Sequence, residues 1–535
     1  MLTGQYSKII SQGGKIMSLP KGAYQALEDA LGPQYVCDEP GVTSAYSYMW
    51  LIYSTHAQSG RYRPAAVVLP ESTEDVQTII KIANRYKFNY IPVGTNLLPP
   101  TIPTRPDTII IDPKRMDNII EIDQKNMYAV VQPYVTYAQL QAEVMKMGMT
   151  ITVAEAGSQV SVLANNMFQG MGGTGHKFGY NRGVLGCDWI LPNGDLLHLG
   201  SRGNAGGEWF WGDCAGMNLK GLLRGDSGHC GGLGMVTAMA VKLFPYPGPR
   251  VFPVKGKNPN FTAEFPHDRF KLNLIKFPDR KKLIDAMYEI GHAEIAAAVH
   301  EEPASMILSY ASPSVEYFWE RWPQFQKVWR NVMSVVLIGF SSSRQVEYEQ
   351  KVLDAIVAEL GGEYIREGSE LWKTAEDNLG ENLRTGSSNR LFRIAGDFFV
   401  IGGFSFDSLD QSLKMSEEYM WPLIEDGQKK GHFVEDDTHN DWLNSYQLGQ
   451  ISETEPLIYF EHDLAAGATF INGYIQTIVE AVKRKMSPTW PLGPMNYIAG
   501  PHRCNYHELV LKIKKTLDPR MTSNPDYPVP PQPLG

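Results

Sequence analysis

The chain has few cysteines. Five are spread over 535 residues (Cys37, Cys187, Cys214, Cys230, Cys504), and none forms a C-x-x-C pair. That spacing excludes a zinc ribbon, an iron–sulfur cluster of its own and a C-x-x-C-H haem site. A sparse, odd set also fits a reducing compartment better than a disulfide scaffold. Positive charge is scarce too: the formal net charge is −9, the wrong sign for a general nucleic-acid binder. No run approaches the 18 apolar residues of a membrane span, and "MLTGQYSKIISQGGKIM" lacks a signal-peptide core. A soluble, cytoplasmic protein is the expectation. Repeats at solenoid spacing are absent as well.

What is present is glycine, concentrated. An apolar fraction of 43% over 535 residues suits two to three domains. The densest stretch runs from Leu163 to Thr237, where Gly170, Gly172, Gly173 and Gly175 fall within six residues. Each glycine gives up a side chain and costs chain entropy, so such density suits a backbone that must approach a ligand closely. Irregular turns would use glycine as well.

Residues 1–60 read as an N-terminal arm with one amphipathic helix closed by Gly32-Pro33. From Arg61 the pattern tightens. "RPAAVVLP" is a strand, and Ser72 with Asp75 starts a helix whose Val76, Ile79, Ile80 and Ala83 form one buried face. "YIPVG" is the next strand and enters Gly94-Thr95-Asn96. That junction offers N–H groups, a hydroxyl and an amide in a tight turn, a nest suited to a diphosphate. It is neither a P-loop nor a Rossmann fingerprint. "DTIIID", a hairpin through "NIIEIDQKNMYAVVQPYV", and a helix capped by Thr136 follow.

Residues 251–480 have another texture. The helices "PDRKKLIDAMYEIG" and "SRQVEYEQKVLDAIVAELGG" alternate with apolar strands "ASMILSYA", "NVMSVVLIGF", "GDFFVIGGFSFD" and "PLIYFEH". This predicts an α+β cap of ferredoxin-like character. The polar segment "GHFVEDDTHNDWLNSYQLGQISETEP" reads as a surface loop, and "PDYPVPPQPLG" as a flexible or docking tail.

The joint order resembles the vanillyl-alcohol oxidase / p-cresol methylhydroxylase superfamily, which includes glycolate oxidase and D-lactate dehydrogenase flavoproteins. "SVLANNMFQGMGG" is similar to its second flavin loop, "GVLGCDWILPNGDLLHLG" to its hairpin, "GLGMVTAMAVKLFPYP" to its Gly-Ile-Val-Thr strand and "LVLKIKKTLDPRMTSNP" to its closing helix. The resemblance implies an α+β fold: a two-subdomain FAD-binding domain at 61–250, a cap at 251–480 and a segment 481–535 returning to the flavin. It implies FAD held by Val93, Gly94, Thr95, Asn96, Leu97, Pro133, Gly157, Ser158, Asn165, Asn166, Gly170, Gly172, Gly173, Thr174, Gly183, Val184, Gly234, Val236 and Asn505. Three departures stand out: few glycines in "GTNLLPPT", a longer Ser227-to-Gly234 segment carrying His229, and no His-x-Gly-Asp-Gly-Asn-x-His-like metal motif.

Flavin oxidation of an alcohol or benzylic carbon needs a base for the proton and a donor for an anionic substrate group. Glu461 and His462, at the end of "PLIYFEHD", are one candidate set. Arg503 in "GPHRCNYHEL" is a second, as an anion or flavin-carbonyl partner. His176 and Tyr180 in "GTGHKFGY" are a third, with His229 and Cys230 nearby, and Arg393 is a possible carboxylate clamp. The expected function is an FAD-dependent oxidoreductase acting on a phenolic or benzylic alcohol, an alkylphenol or a 2-hydroxy acid. Electrons would pass to dioxygen or to a cytochrome or iron–sulfur subunit, in a homo- or hetero-oligomer. The alternative is a flavoprotein subunit without substrate chemistry of its own.

Overall fold

The computed structural model describes residues 19–47, 62–95, 103–154, 157–168, 172–178, 183–213, 217–224, 229–251, 253–257, 260–263, 268–380, 394–395, 397–400, 405–461, 463–488, 493 and 496–532. The first sheet has the order β1 (Val36–Cys37), β2 (Ala66–Val68), β4 (Thr108–Ile111), β3 (Asn89–Pro92). β2, β4 and β3 are parallel. Every residue of β2 and β4 is buried, as expected where both faces are covered. The helix Thr73–Tyr86 covers one face with Val76, Ile79, Ile80 and Ala83. Ser72 caps it by accepting from the Asp75 N–H, while the Asp75 carboxylate reaches past Ser72 to the Glu71 N–H.

The second sheet is antiparallel, in the order β5 (Ile119–Asp123), β6 (Tyr128–Val131), β10 (Met235–Lys242), β8 (Val184–Ile190), β9 (Leu196–Leu199). Gly194, at φ +89°, turns the β8–β9 hairpin. The helix Tyr137–Lys146 starts at a reciprocal capping box between Thr136 and Gln139. A short pair, β7 (Met149–Thr150) with β11 (Phe244–Pro245), lies beside this sheet.

The cap follows a two-stranded pair, β12 (Val254–Lys257) and β13 (Asn260–Ala263). Its sheet runs β17 (Glu363–Tyr364), β14 (Phe270–Lys276), β16 (Val332–Ile338), β15 (Ala298–Glu301), β20 (Trp442–Tyr446), β21 (Ile451–Glu455), β19 (Ser405–Asp407), β23 (Ser487–Pro488). A separate pair joins β18 (Asp397–Val400) and β22 (Leu457–Phe460). Helices Arg280–His292 and Ser343–Leu360 pack Leu283, Met287, Leu353 and Val357 on one face of the large sheet. Helices Ala304–Ala311 and Val315–Val328 pack Ile307, Leu308, Phe318 and Trp322 on the other.

Three sequence expectations change. "ASMILSYA" is a buried helix, not a strand; a short, wholly apolar run has no periodicity to separate the two. The polar segment around 442–455 is no surface loop. It supplies β20 and β21, in the middle of the cap sheet with nearly every residue buried, because its polar groups bond one another. The Pro-rich tail is packed through at least Pro530 rather than loose. Ser523 bridges to Tyr90 on edge strand β3, Asp526 pairs with Arg105, and the Tyr497 hydroxyl donates to the Pro530 carbonyl.

Candidate flavin site

Two loops from the two sheets of the N-terminal half meet edge to edge. Strand β3 ends at Pro92, and buried Val93 leads from it into Gly94 and Thr95. A Cβ built on Gly94 would lie 3.3 Å from the Ala164 Cβ and 3.7 Å from the Ser161 Cβ. The Thr95 hydroxyl accepts from the Ser161 N–H at 3.3 Å. Ser161 in turn donates to the Pro133 carbonyl at 2.6 Å and accepts from the Ala164 N–H. Gly157, at φ +117°, lets the chain reverse so that the Ser158 carbonyl receives the Ala138 N–H. Asn165 and Asn166 both donate to the Tyr137 hydroxyl, at 2.9 and 3.0 Å. Burial pushes that hydroxyl up to about 12, so it stays protonated. The Asn166 side-chain Oδ1 sits 3.1 Å from where a side chain on Gly183 would begin.

Val93, Gly94, Thr95, Pro133, Gly157, Ser158, Asn165, Asn166 and Gly183 are therefore brought together. A dinucleotide needs side-chain-free backbone where its phosphates pass, and Gly94 and Gly157 supply it at the junction. These residues fit FAD. Gly172 turns the second loop tightly over Val153, whose carbonyl a Cβ would approach to 2.8 Å, and the Gly173 N–H bonds that same carbonyl at 3.0 Å. Thr174 is buried beside them.

Other expected contacts sit elsewhere. Val184 and Val236 are buried in the second-sheet core. Gly234, at φ +86°, donates to the Ser523 hydroxyl and leaves a Cβ only 2.0 Å from the Ile190 carbonyl, so it binds strand to tail. Asn505 is exposed before the closing helix Tyr506–Leu517. Asn96, Leu97, Gly170, Tyr180, Arg393 and His462 lie outside the described residues.

The second loop continues straight into a seam with the cap. His300 Nε2 donates to the Gly173 carbonyl at 3.0 Å. The Lys177 N–H bonds the Ala297 carbonyl, while the Gln447 and Leu448 N–H groups bond the carbonyls of Gly175 and His176. His176 Nδ1 meets the Ser445 hydroxyl at 3.0 Å. Burial, then the neighbouring His300, holds His176 neutral down to about 3; burial, then Lys514, does the same for His229. His229 instead stacks on Trp189 inside the flavin domain. Arg503 is half-buried beside the closing helix, and Glu461 is exposed.

Sequence reasoning missed the polar lining of the cap sheet. On one face, buried Arg280 donates to Glu301 at 2.6 Å and to Asp441 at 2.9 Å. Burial pushes the Glu301 carboxyl up to about 7 against the pull of Arg280, with Asp441 adding to the rise. Asp441 also receives the Trp421 N–H and the Thr454 hydroxyl. On the opposite face lie His300, Asn444, Tyr446, Glu453 and Glu455, all buried. The Tyr446 hydroxyl donates to Glu453 at 2.8 Å. The one signal in the sequence was two short runs, "WLNSY" and "ISETE", flanking a Gly-containing turn.

Comparisons with known proteins agree with this geometry. Residues 64–200 match the FAD binding domain family. The chain is 32% identical over 203 residues to glycolate oxidase subunit GlcD of Bacillus subtilis, covering 37% of this chain and 41% of that protein. It is 27% identical over 248 residues to the 4-cresol dehydrogenase [hydroxylating] flavoprotein subunit of Pseudomonas putida, covering 43% and 45%. The chain thus spans about half the length of the curated relatives it matches. Among solved structures, 4-ethylphenol oxidase from Gulosibacter chungangensis in complex with isoeugenol superposes with a TM-score of 0.72 at 20% identity, over 96% of this chain and 99% of that one. Substrate-bound p-cresol methylhydroxylase gives 0.71 at 17%, over 95% and 98%. Residues 64–200 thus match an FAD binding domain, the cofactor is FAD, and the fold is the one seen in 4-ethylphenol oxidase and p-cresol methylhydroxylase.

Proposed function

We propose that the chain is an FAD-linked oxidase or dehydrogenase of a small organic substrate, with residues 61–250 holding the flavin, 251–480 covering it and 481–535 returning to it. The observation that carries this reading is the contact of Gly94-Thr95 with Ser161 and Ala164, continued by the cap strands closing on Gly173 to His176. Bound FAD supplies a two-electron acceptor, which no side chain here can provide. The chain's residues do the rest. The glycine loops hold the diphosphate. The seam excludes water from the reacting carbon, and a buried polar group takes the substrate's proton.

Substrates named for the relatives span glycolate, lactate and cresol, so the class considered is an alcohol, an alkylphenol or a 2-hydroxy acid. Arg503, His462, Glu461, His176 and Tyr180 remain candidate contacts. His176, held neutral, is suited to hydrogen bonding rather than to carrying charge. The description of the P. putida relative as a flavoprotein subunit supports a separate protein acceptor alongside dioxygen. No helix among the described residues is long and apolar enough to cross a membrane.

The test is anaerobic titration of the purified protein with 4-hydroxybenzyl alcohol, 4-ethylphenol and D-lactate. Bleaching of the visible flavin band by one of them is the expected result. A protein that is colourless and takes up no added FAD contradicts the reading. In the same assay, Arg503→Ala is expected to keep its flavin and slow the bleaching.

A further inference from the structure

We propose that His300 of the cap is a positioning residue for the flavin: by holding the Gly173 carbonyl it fixes the second glycine turn in the orientation that binds FAD. This inference rests on the FAD reading above and names the cap's part in it.

Gly173 is held from both sides. Its N–H bonds the Val153 carbonyl in the flavin domain at 3.0 Å, and its own carbonyl meets His300 Nε2 of the cap at 3.0 Å. Gly172 and Gly173 have no side chains to anchor them, and their backbone is the most permissive in the chain. Nor could they carry any: a Cβ on Gly172 would lie 2.3 Å from the Thr152 Cγ2. Hydrogen bonds therefore set the orientation of this turn.

The cap presents His300 in one tautomer. A carbonyl can only accept, so Nε2 carries the proton and Nδ1 keeps its lone pair. Asn444 stands opposite His300 in the register of β15 and β20, and its side chain bonds the ring. Its amide N–H is the group that Nδ1 can receive. Asn444 is bonded in turn by Glu453, which Glu455 and Tyr446 also bond. His300 is 3% exposed, and burial keeps it neutral down to about 4. The ring is thus locked by a row of side chains across three strands and does not switch tautomer near neutral pH.

The Gly173–Thr174 peptide is trans, so its C=O and N–H point in opposite directions. With the carbonyl turned to the cap, the Thr174 N–H is turned away from it. That N–H has no partner among the described residues, although Thr174 is only 6% exposed. A buried N–H left without an acceptor is costly, and FAD brings carbonyl and phosphate oxygens that accept. Once His300 is removed, the turn is free on its cap side and samples other orientations. Apparent FAD affinity then falls with the fraction of protein that stays competent.

The test uses three substitutions that separate the bond from the bulk. In His300→Gln the amide nitrogen reaches the place of Nε2; in His300→Asn it falls short, and His300→Leu has no donor. Fluorescence titration of flavin-free protein with FAD is expected to give a Kd within threefold of wild type for His300→Gln. The other two are expected to bind at least tenfold more weakly, and only His300→Gln should keep the visible circular dichroism of wild-type bound flavin. Unchanged FAD affinity in His300→Asn and His300→Leu overturns the inference even where Tm falls, because a space-filling role moves stability alone. A loss in His300→Gln as large as in His300→Asn overturns it too. If no variant folds, hydrogen exchange of the wild type decides. The Gln447 and Leu448 N–H groups bond the carbonyls of Gly175 and His176, so FAD is expected to slow exchange over 446–450 at least fivefold. Unchanged exchange there means that cap and cofactor are not coupled. A wild type that takes up no FAD overturns the oxidoreductase reading itself.

Discussion

The ring of Tyr446 stands where a side chain on Gly175 would project: a Cβ built there meets the ring's Cδ1 at 2.4 Å and Cε1 at 2.7 Å. The Gly175 carbonyl is at the same time bonded by the Gln447 N–H. The flavin loop and the β20–β21 hairpin of the cap are thus in contact through backbone and ring together, and cannot be moved apart singly.

Gly175→Ala is therefore expected to cost about 1–3 kcal/mol, as overpacking in a rigid core does. Chemical denaturation measures it. Tyr446→Ala should recover part of the loss when combined with Gly175→Ala. Strict additivity of the two variants would show that the ring and the loop do not interact.

At Gly94 the expected loss is of cofactor rather than of fold. A valine there drives branched methyls toward Ala164 and Ser161 at the junction of the two loops. The flavin-to-protein absorbance ratio should fall below about one tenth of wild type, with circular dichroism unchanged. Gly41→Ala, which meets nothing within 4 Å, should leave the ratio untouched.

Lys514 buries its ammonium among the Gly232 carbonyl at 2.6 Å, the Ser523 carbonyl at 2.7 Å and Asp518. Burial pulls its pKa down to about 8, with Asp518 resisting. Lys514→Met leaves these acceptors unmet and should destabilise by about 3 kcal/mol, seen as a fall in Tm. An unchanged Tm would mean that water replaces the ammonium without loss.

The buried titratable groups set an acid limit. His176, His229 and His300 are held neutral to about 3, 3 and 4, chiefly by burial, and in the unfolded chain they protonate near 6.5. Their contribution is full above that value and is lost as pH falls toward 3 to 4. Burial raises Glu301 to about 7 and Asp436 to about 6. These carboxyls hold protons in the folded state and so return stability between pH 7 and about 4.5. The two trends offset each other there, and only the histidines act below. Denaturant unfolding should change little from pH 7 to 5.5 and fall steeply by pH 4; the reverse order contradicts the assignment.

The tight glycine turns were legible because glycine signals them directly. A backbone that must pass close to another chain segment rejects side chains, and Gly94, Gly157, Gly172 and Gly175 record that in the sequence. The helix Thr73–Tyr86 and the Thr136 capping box were legible from periodicity and local bonding. The β20–β21 hairpin was not. Asn444, Ser445, Ser452, Glu453, Thr454 and Glu455 are polar on both faces of the sheet, so no alternation distinguishes inside from outside. Their burial is made tolerable by partners such as Tyr446 for Glu453 within the hairpin, and Asp441 for Thr454 and Ser412 for Ser452 from outside it.

The packed tail has a kinetic consequence. Arg105 and Asp526 are joined across 421 residues, and Tyr90 on the rim of the first sheet exchanges backbone bonds with Thr522 and Asn524. The early strands of this sheet thus wait for about 420 further residues before their last partner arrives. Contacts of such sequence separation slow folding, and until they form β3 presents an open strand to any neighbouring chain. Nascent protein of this kind should be most prone to aggregation just before residues 522–526 are made.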